Sequence, residues 1–386
     1  MSDYYSESSR TPTPHRRHRH HHHSKSKYDS NSDNDHSEFT IKQKRRMPLE
    51  SSPLTFFFII IVCSIIQIVS FGDCKLTFSR PNEIELPLAY NINRAFDAIP
   101  TFNLMDNLTT CPKEIILVSY LIYLIYRILC STSRSPISSF LISIMLLYDK
   151  ATRSLIISNP SFGAQLILVS LCIICCQNLL VLQIFSSPWI TYAALSLLLG
   201  FFSTFISIEA YPIFIPITIS IILLSKSTES KSRSSFCSKI FNAILKSIYL
   251  IILCCACVTF AFGTYLLIGP PKFVVIERDI HLLITEFLSN NHNISLLFMA
   301  PLVLLLFFFT DIEFSWLLSF IGCLAFSIML MFSSVVNDLV VQAGFCVYYY
   351  LLCCGFVLTN PKVSSVSAFL LMLELAIVIN FYNYPI

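Results

Sequence analysis

Glu83 and Glu85 are the residues of this chain whose type and spacing best suit chemistry. Alternate positions of an extended segment point the same way, so the two carboxylates would share a face. A carboxylate so placed acts as a general base on an attacking hydroxyl and helps hold a metal. Pro81 and Pro87 stand around the pair, and Arg80 and Arg94 are near enough in sequence to neutralise it. Ion pairing in a solvated loop is the stronger reading, because no adjacent Asp–Asp or Glu–Asp pair follows the first apolar segment.

Other reactive types are less informative. Of 15 Cys, Cys172, Cys175, Cys176, Cys254, Cys255, Cys257, Cys353 and Cys354 lie in apolar tracts, where Cys acts as a small hydrophobe. Cys74 and Cys111 differ, since they bracket the one long polar loop between apolar segments. Consecutive segments are usually neighbours, so the loop ends are expected close enough for a disulfide in an oxidising compartment, with two free thiols as the alternative. All His except His281 and His292 precede residue 37, and no metal site is expected. No glycine-rich phosphate loop, His-Glu-x-x-His or Gly-x-Ser-x-Gly is present. Ionisable residues in or beside apolar tracts are costly and therefore informative. They are Glu209 before Tyr211-Pro212, Asp338 after Asn337, and Glu374 inside the last tract. Gln177 and Asn178 occupy the middle of another tract, where such side chains bond between helices.

The elements that carry these residues are long apolar runs. The chain is 55% hydrophobic and 13% charged, against about 25% charged for a soluble domain. A net charge of +3 argues for no nucleic-acid partner. Spans are expected near 54–72, 113–131, 136–149, 163–186, 189–208, 211–225, 244–268, 294–309, 314–333, 336–358 and 363–383, roughly ten or eleven in all. The fold class is thus an all-α polytopic membrane protein. Residues 1–52, basic and rich in His and Ser, are expected to be a disordered cytosolic tail. Residues 53–386 form the multi-span domain. Lys42, Lys44, Arg45 and Arg46 before the first span favour a cytosolic N-terminus. Loop 73–112 is then luminal and the basic loop 226–243 cytosolic. Two candidate N-glycosylation sites, Asn107 and Asn293, fall on the luminal side of that map. Lys150 and Arg153 are its main discord, because it makes them luminal.

Several short stretches, in order, resemble one family. Arg80-Pro81-Asn82-Glu83-Ile84-Glu85-Leu86-Pro87-Leu88 looks like the first-loop block of the phosphatidylinositol-glycan class U proteins, subunits of GPI transamidase. Arg94–Asp97 follows as in that family. Ser158-Asn159-Pro160 resembles its "F-N-P", and Gln177-Asn178 stands near its Asn-rich spot. Glu209-Ala210-Tyr211-Pro212-Ile213 resembles its "L-Y-P-L", and Ser333–Leu339 its "P-S-V-G-D-V". The likeness covers roughly residues 78–383. The family's aromatic block is not legible in Ile280–Phe309, and its Gly before Asp is Asn337 here.

The resemblance implies a bundle like that of the polytopic (GT-C-like) mannosyltransferases, in the endoplasmic-reticulum membrane. It implies a subunit that is not itself an enzyme and carries no cofactor. Such a subunit presents the GPI lipid, or recognises the C-terminal signal of precursor proteins, while a cysteine-protease-like partner subunit does the chemistry. Asn159, Asn178, Glu209, Tyr211 and Asp338 are then the candidates for lipid or substrate binding, and Arg80, Glu83 and Glu85 those of the luminal loop. Two alternatives stand beside this reading, the first in the same architecture. One is a mannosyltransferase using dolichol-phosphate mannose, with Glu83 or Glu85 as base. The other is a membrane transporter, for which Glu374 and Gln177–Asn178 are the only hints.

Overall fold

Proline punctuates this chain. Pro53, Pro87, Pro112, Pro136 and Pro160 each open a helix, and Pro188 is the second residue of another. Proline suits a first turn because its ring fixes a helical φ and its missing N–H has no partner there. The computed structural model describes residues 53–71, 87–100, 111–133, 135–206, 339–359 and 363–383, with scattered positions between 245 and 267. The expected tail 1–52 and the expected spans 211–225, 294–309 and 314–333 lie outside the described residues.

The helices are α1 (Pro53–Phe71), α2 (Pro87–Ala98), α3 (Pro112–Ser133), α4 (Pro136–Tyr148), α5 (Lys150–Ser158), α6 (Pro160–Val181), α7 (Ser187–Ile206), α8 (Leu339–Leu358) and α9 (Ser364–Asn383). No strand occurs among the described residues. Windows of α3, α6 and α7, Pro112–Ser131, Pro160–Leu179 and Ser187–Ile206, are long and apolar enough to cross a membrane. Shorter apolar stretches lie in α1, α4, α8 and α9. Regular structure among the described residues is all helical, in a way compatible with a membrane protein.

Two helices depart from the sequence expectation. The polar loop 73–112 contains α2, and the link after α4 contains α5. The α2 sequence is amphipathic, a pattern that a search for unbroken apolar runs passes over. Ala89 and Asn93 are buried on its inner side, while Tyr90, Asn91, Arg94 and Asp97 are exposed. The expected span 163–186 is also shifted. Helix α6 begins at Pro160, ends at Val181, and is followed by a turn in which Phe185 takes φ 63°.

Hydrogen bonds and ring contacts fix the directions of the helices. Gln67 of α1 donates to the Ile115 carbonyl (3.2 Å) and the Ser119 hydroxyl (2.9 Å) of α3. Phe56 at the other end of α1 packs edge-on against Tyr123, ring centres 4.8 Å apart. Thus α1 and α3 are antiparallel. Gln165 donates to the Ser203 carbonyl (2.8 Å), and the Cys172 thiol lies 3.2 Å from the Ser196 carbonyl, so α6 and α7 are antiparallel too. Ser131 near the end of α3 donates to Gln177 near the end of α6 (2.7 Å), which makes α3 and α6 parallel. Helix α8 runs with them. A Cβ on Gly344 would lie 2.7 Å from Phe162 Cζ, one on Gly355 2.7 Å from Leu129 Cδ2, and Tyr348 shares a 2.6 Å hydrogen bond with Ser170. These glycines allow close approach of α8 to its neighbours.

The core lies between α3, α4, α6 and α8, with Ile125, Leu129, Ile142, Met145, Leu166, Phe162, Phe345 and Leu352 buried in it. Apolar packing supplies no strong preference between lipid and protein, so the polar ties specify which helices meet. Gln177 and Asn178, expected in mid-span, stand in the last turns of α6 because that helix ends at Val181, and of the two Gln177 makes the tie. It also donates to the Ile128 carbonyl (3.2 Å), whereas the Asn178 backbone carbonyl accepts the Leu182 N–H that closes the helix (3.2 Å).

Candidate functional site

One end of the bundle holds two polar centres. At this loop end α1 finishes, α3 and α6 begin, and α7 finishes at Ile206. The α8 helix begins here at Leu339.

Helix α2 lies across the start of α6. Its Asn93 is buried, and Oδ1 accepts the Ser161 backbone N–H at 2.7 Å. Asn93 Nδ2 donates to Asn159 Oδ1 (3.3 Å), which also accepts the Ser161 hydroxyl (2.6 Å). The first N–H groups of a helix need acceptors. Asn159 gives no side-chain cap to its own helix, and α2 supplies one from a distance. The other end of α2 is closed by Lys113. Its ammonium donates to the Phe96 (3.2 Å) and Asp97 (3.1 Å) carbonyls, where a cation complements the helix dipole.

A second polar centre sits at the joint of α4 and α5. Asp149 is fully buried and caps α5, accepting the Thr152 N–H at Oδ2 (3.0 Å). Among the described residues nothing hydrogen-bonds to Asp149 Oδ1. Burial pushes the Asp149 carboxyl above its ordinary range, and Thr152 and then Arg153 pull it back. Arg153 is half-buried one turn after Asp149.

The sequence candidates separate as follows. Asn159 is in the polar cluster at the loop end. Asn178 is on the same helix but roughly 28 Å along it, at 1.5 Å per residue, near the opposite end. The two do not form one site. Arg94 is exposed on α2. Cys111 is buried beside the start of α3 and is disulfide-bonded. Its partner is none of the free cysteines, which include Cys63, Cys130, Cys172, Cys175, Cys176, Cys353 and Cys354. Cys74, Arg80, Glu83, Glu85, Asn107, Glu209, Tyr211, Asn293 and Asp338 lie outside the described residues.

Three residues of this end were not singled out as binding candidates: Asn93, Lys113 and Asp149. Asn93 belongs to the loop residues noted as polar, yet only the amphipathic period of 88–96 would have turned it inward. Asp149 is of a residue type preferred at an N-cap, and that signal was available. Grouping of three or more metal-ligating side chains does not occur among the described residues. Compared with known proteins, the chain matches no family model, no curated protein and no solved structure.

Proposed function

We propose that this chain is a non-catalytic, multi-pass subunit of GPI transamidase in the endoplasmic-reticulum membrane, with its N-terminus cytosolic. Its role is to present the GPI lipid or to receive the C-terminal signal of precursor proteins. What supports the reading is the ordered series of short motifs, four of which adjoin the loop end in sequence, whereas Gln177-Asn178 is near the other end. Asn159 is at the loop end. Glu209 and Tyr211 follow Ile206, where α7 finishes at that same end. Asp338 immediately precedes Leu339, where α8 begins at that end. Arg80, Glu83 and Glu85 precede Pro87, the start of α2, which is tied to the same end. A polar lipid headgroup with an apolar anchor suits a site at such a boundary.

Depletion of the protein tests the proposal. Complete GPI lipids should accumulate while precursor proteins stay unprocessed. Accumulation of a GPI intermediate lacking a mannose would instead establish a mannosyltransferase. Glu83→Gln and Glu85→Gln refine the distinction. A transferase base should lose about 10²-fold or more in rate, whereas a loop ion pair should leave most function in place.

A further inference from the structure

Arg127 is a charged and exposed residue in the part of α3 that is long and apolar enough to cross a membrane. At roughly 100° per residue, Ile116, Tyr120, Tyr123 and Arg127 share about 60° of the helix circumference. Ile116 and Arg127 are exposed, and Tyr120 is half-buried. On one side of this strip Ser119 accepts Gln67 of α1. On the other, Leu117 lies against Gly163 of α6 and the Ile128 carbonyl accepts Gln177 of α6. The strip is thus the floor of an outward-facing groove with α1 and α6 as its walls. Those walls are apolar. Phe56 of α1 packs edge-on against Tyr120 and Tyr123, and Ile167, Leu171 and Ile174 of α6 are half-buried.

The two ends of the groove differ. Cys111, just before α3, is disulfide-bonded, whereas Cys130, one turn after Arg127, is free. Disulfides persist in oxidising compartments and are rare in the cytosol. With α3 crossing the membrane, its start faces the oxidising side. Arg127 then lies toward the cytosolic side, roughly 9 Å before the helix ends at Ser133. An arginine near a helix end reaches the headgroup level. The cytosolic leaflet is the one that carries anionic lipids. From Arg127 back to Ile116 the strip runs roughly 16 Å. That is about half of a hydrocarbon core, the depth that one leaflet's acyl chains fill. Of the described acids, Asp97, Glu114 and Asp149 belong to the loop end, and Glu374 to α9, which packs on α4.

We propose that the groove of α3 between α1 and α6 seats an anionic phospholipid of the cytosolic leaflet, with its phosphate on Arg127 and an acyl chain along Tyr120 and Ile116. A guanidinium holds a phosphate through two parallel hydrogen bonds. The proposal rests on α3 crossing the membrane and not on which complex the chain belongs to.

The experiment uses the full-length chain in phosphatidylcholine nanodiscs. The probe is phosphatidylserine with a photoreactive acyl chain, compared with phosphatidylcholine carrying the same chain. Labelled peptides are identified by mass spectrometry in the wild type, Arg127→Lys and Arg127→Gln. The phosphatidylserine probe should label the groove faces of α3 and α6, saturate, and be displaced by unlabelled phosphatidylserine. Leu198 and Phe202, exposed on α7, should be labelled by both probes alike and without saturation. Arg127→Gln should lower groove labelling about fivefold, the factor that one basic residue gives at an anionic surface, and Arg127→Lys should keep most of it. Equal groove labelling by the two probes overturns the proposal. It is the result expected if a carboxylate of this chain holds Arg127, or if the groove accepts any lipid. Labelling that never saturates, or that is indifferent to Arg127→Gln, overturns it too. Arg127 is exposed, so its substitution should leave the bundle folded, and the headgroup preference of the wild type is decisive even without the variants. Either outcome stands apart from the lipid that accumulates on depletion.

Discussion

The Asn93 side chain accepts the backbone N–H of Ser161 at 2.7 Å, across 68 residues of sequence. The helix that begins at Pro160 thus receives its N-terminal cap from a different helix. This contact fixes α2 to the start of α6, as the Lys113 ammonium fixes it to the start of α3.

Asn93→Ala should therefore act on two helices at once. Loss of a capping side chain costs about 0.5–2 kcal/mol. Amide exchange should quicken in both α2 and the first turn of α6, and the thermal midpoint in nanodiscs should drop. Arg94→Ala, one residue further and exposed, should change neither.

Glycine substitutions in α8 should rank by the stiffness of what they meet. At Gly344 an added Cβ meets the Phe162 ring, which is packed edge-on against Phe345 with ring centres 5.2 Å apart. At Gly355 it meets the two methyl groups at the end of the Leu129 side chain, which is aliphatic and less rigid than a ring. Overpacking typically costs about 1–3 kcal/mol, while Gly→Ala in a helix returns up to about 1 kcal/mol. Gly344→Ala should be clearly destabilising and Gly355→Ala less so. Phe162→Leu should rescue the first in a thermal unfolding assay and leave the second unchanged.

Asp149 should make stability pH-dependent. Burial raises its carboxyl above the ordinary value near pH 4. The native chain then keeps this proton to higher pH than the unfolded chain does, so stability falls as pH rises from about 4 through the native value. Asp149→Asn keeps an acceptor for the Thr152 N–H but does not titrate. Thermal midpoints measured from pH 4 upward should decline more in the wild type than in Asp149→Asn. A steeper decline in the variant would show that Arg153 outweighs burial.

Cys111 should be found bridged, and Cys74 is its expected partner. Non-reducing peptide mapping should yield a Cys74–Cys111 cross-linked peptide from the native protein. Cys74→Ser should then release Cys111 to alkylation. Continued protection of Cys111 in that variant would assign the bridge to another cysteine.

Helix starts were legible wherever proline stood beside a long apolar run. The expected 54–72, 113–131 and 136–149 lie within two residues of α1, α3 and α4 at both ends. Asn159-Pro160 misled, because polar Ser158 and Ser161 flank it and the apolar stretch is evident only from Phe162. The end of α6 was placed too late, since hydropathy continues through Leu182, Ile184 and Phe185 although the chain turns there. Helices α2 and α5 escaped for a different reason. They are short, part-polar and tied down by side-chain hydrogen bonds, and a bilayer-length criterion is blind to both properties. The site was legible only as a list of costly residues. Nothing in the spacing of Asn159 and Asn178 reveals that one helix carries them to opposite ends, until that helix is known to be unbroken from Pro160 to Val181.

The distant cap also bears on how the chain is made. Ribosomes add about 5–20 residues per second, so roughly 3–14 s separate the emergence of Asn93 from that of Ser161. Throughout that interval α2 exists without the backbone group its Asn93 will bind, and α3 and α4 must be laid down first. A nascent chain stalled before Ser161 would carry an amphipathic helix with nowhere to dock its buried side. Quality control that recognises such a helix would have a marker for incomplete synthesis that disappears once α6 begins.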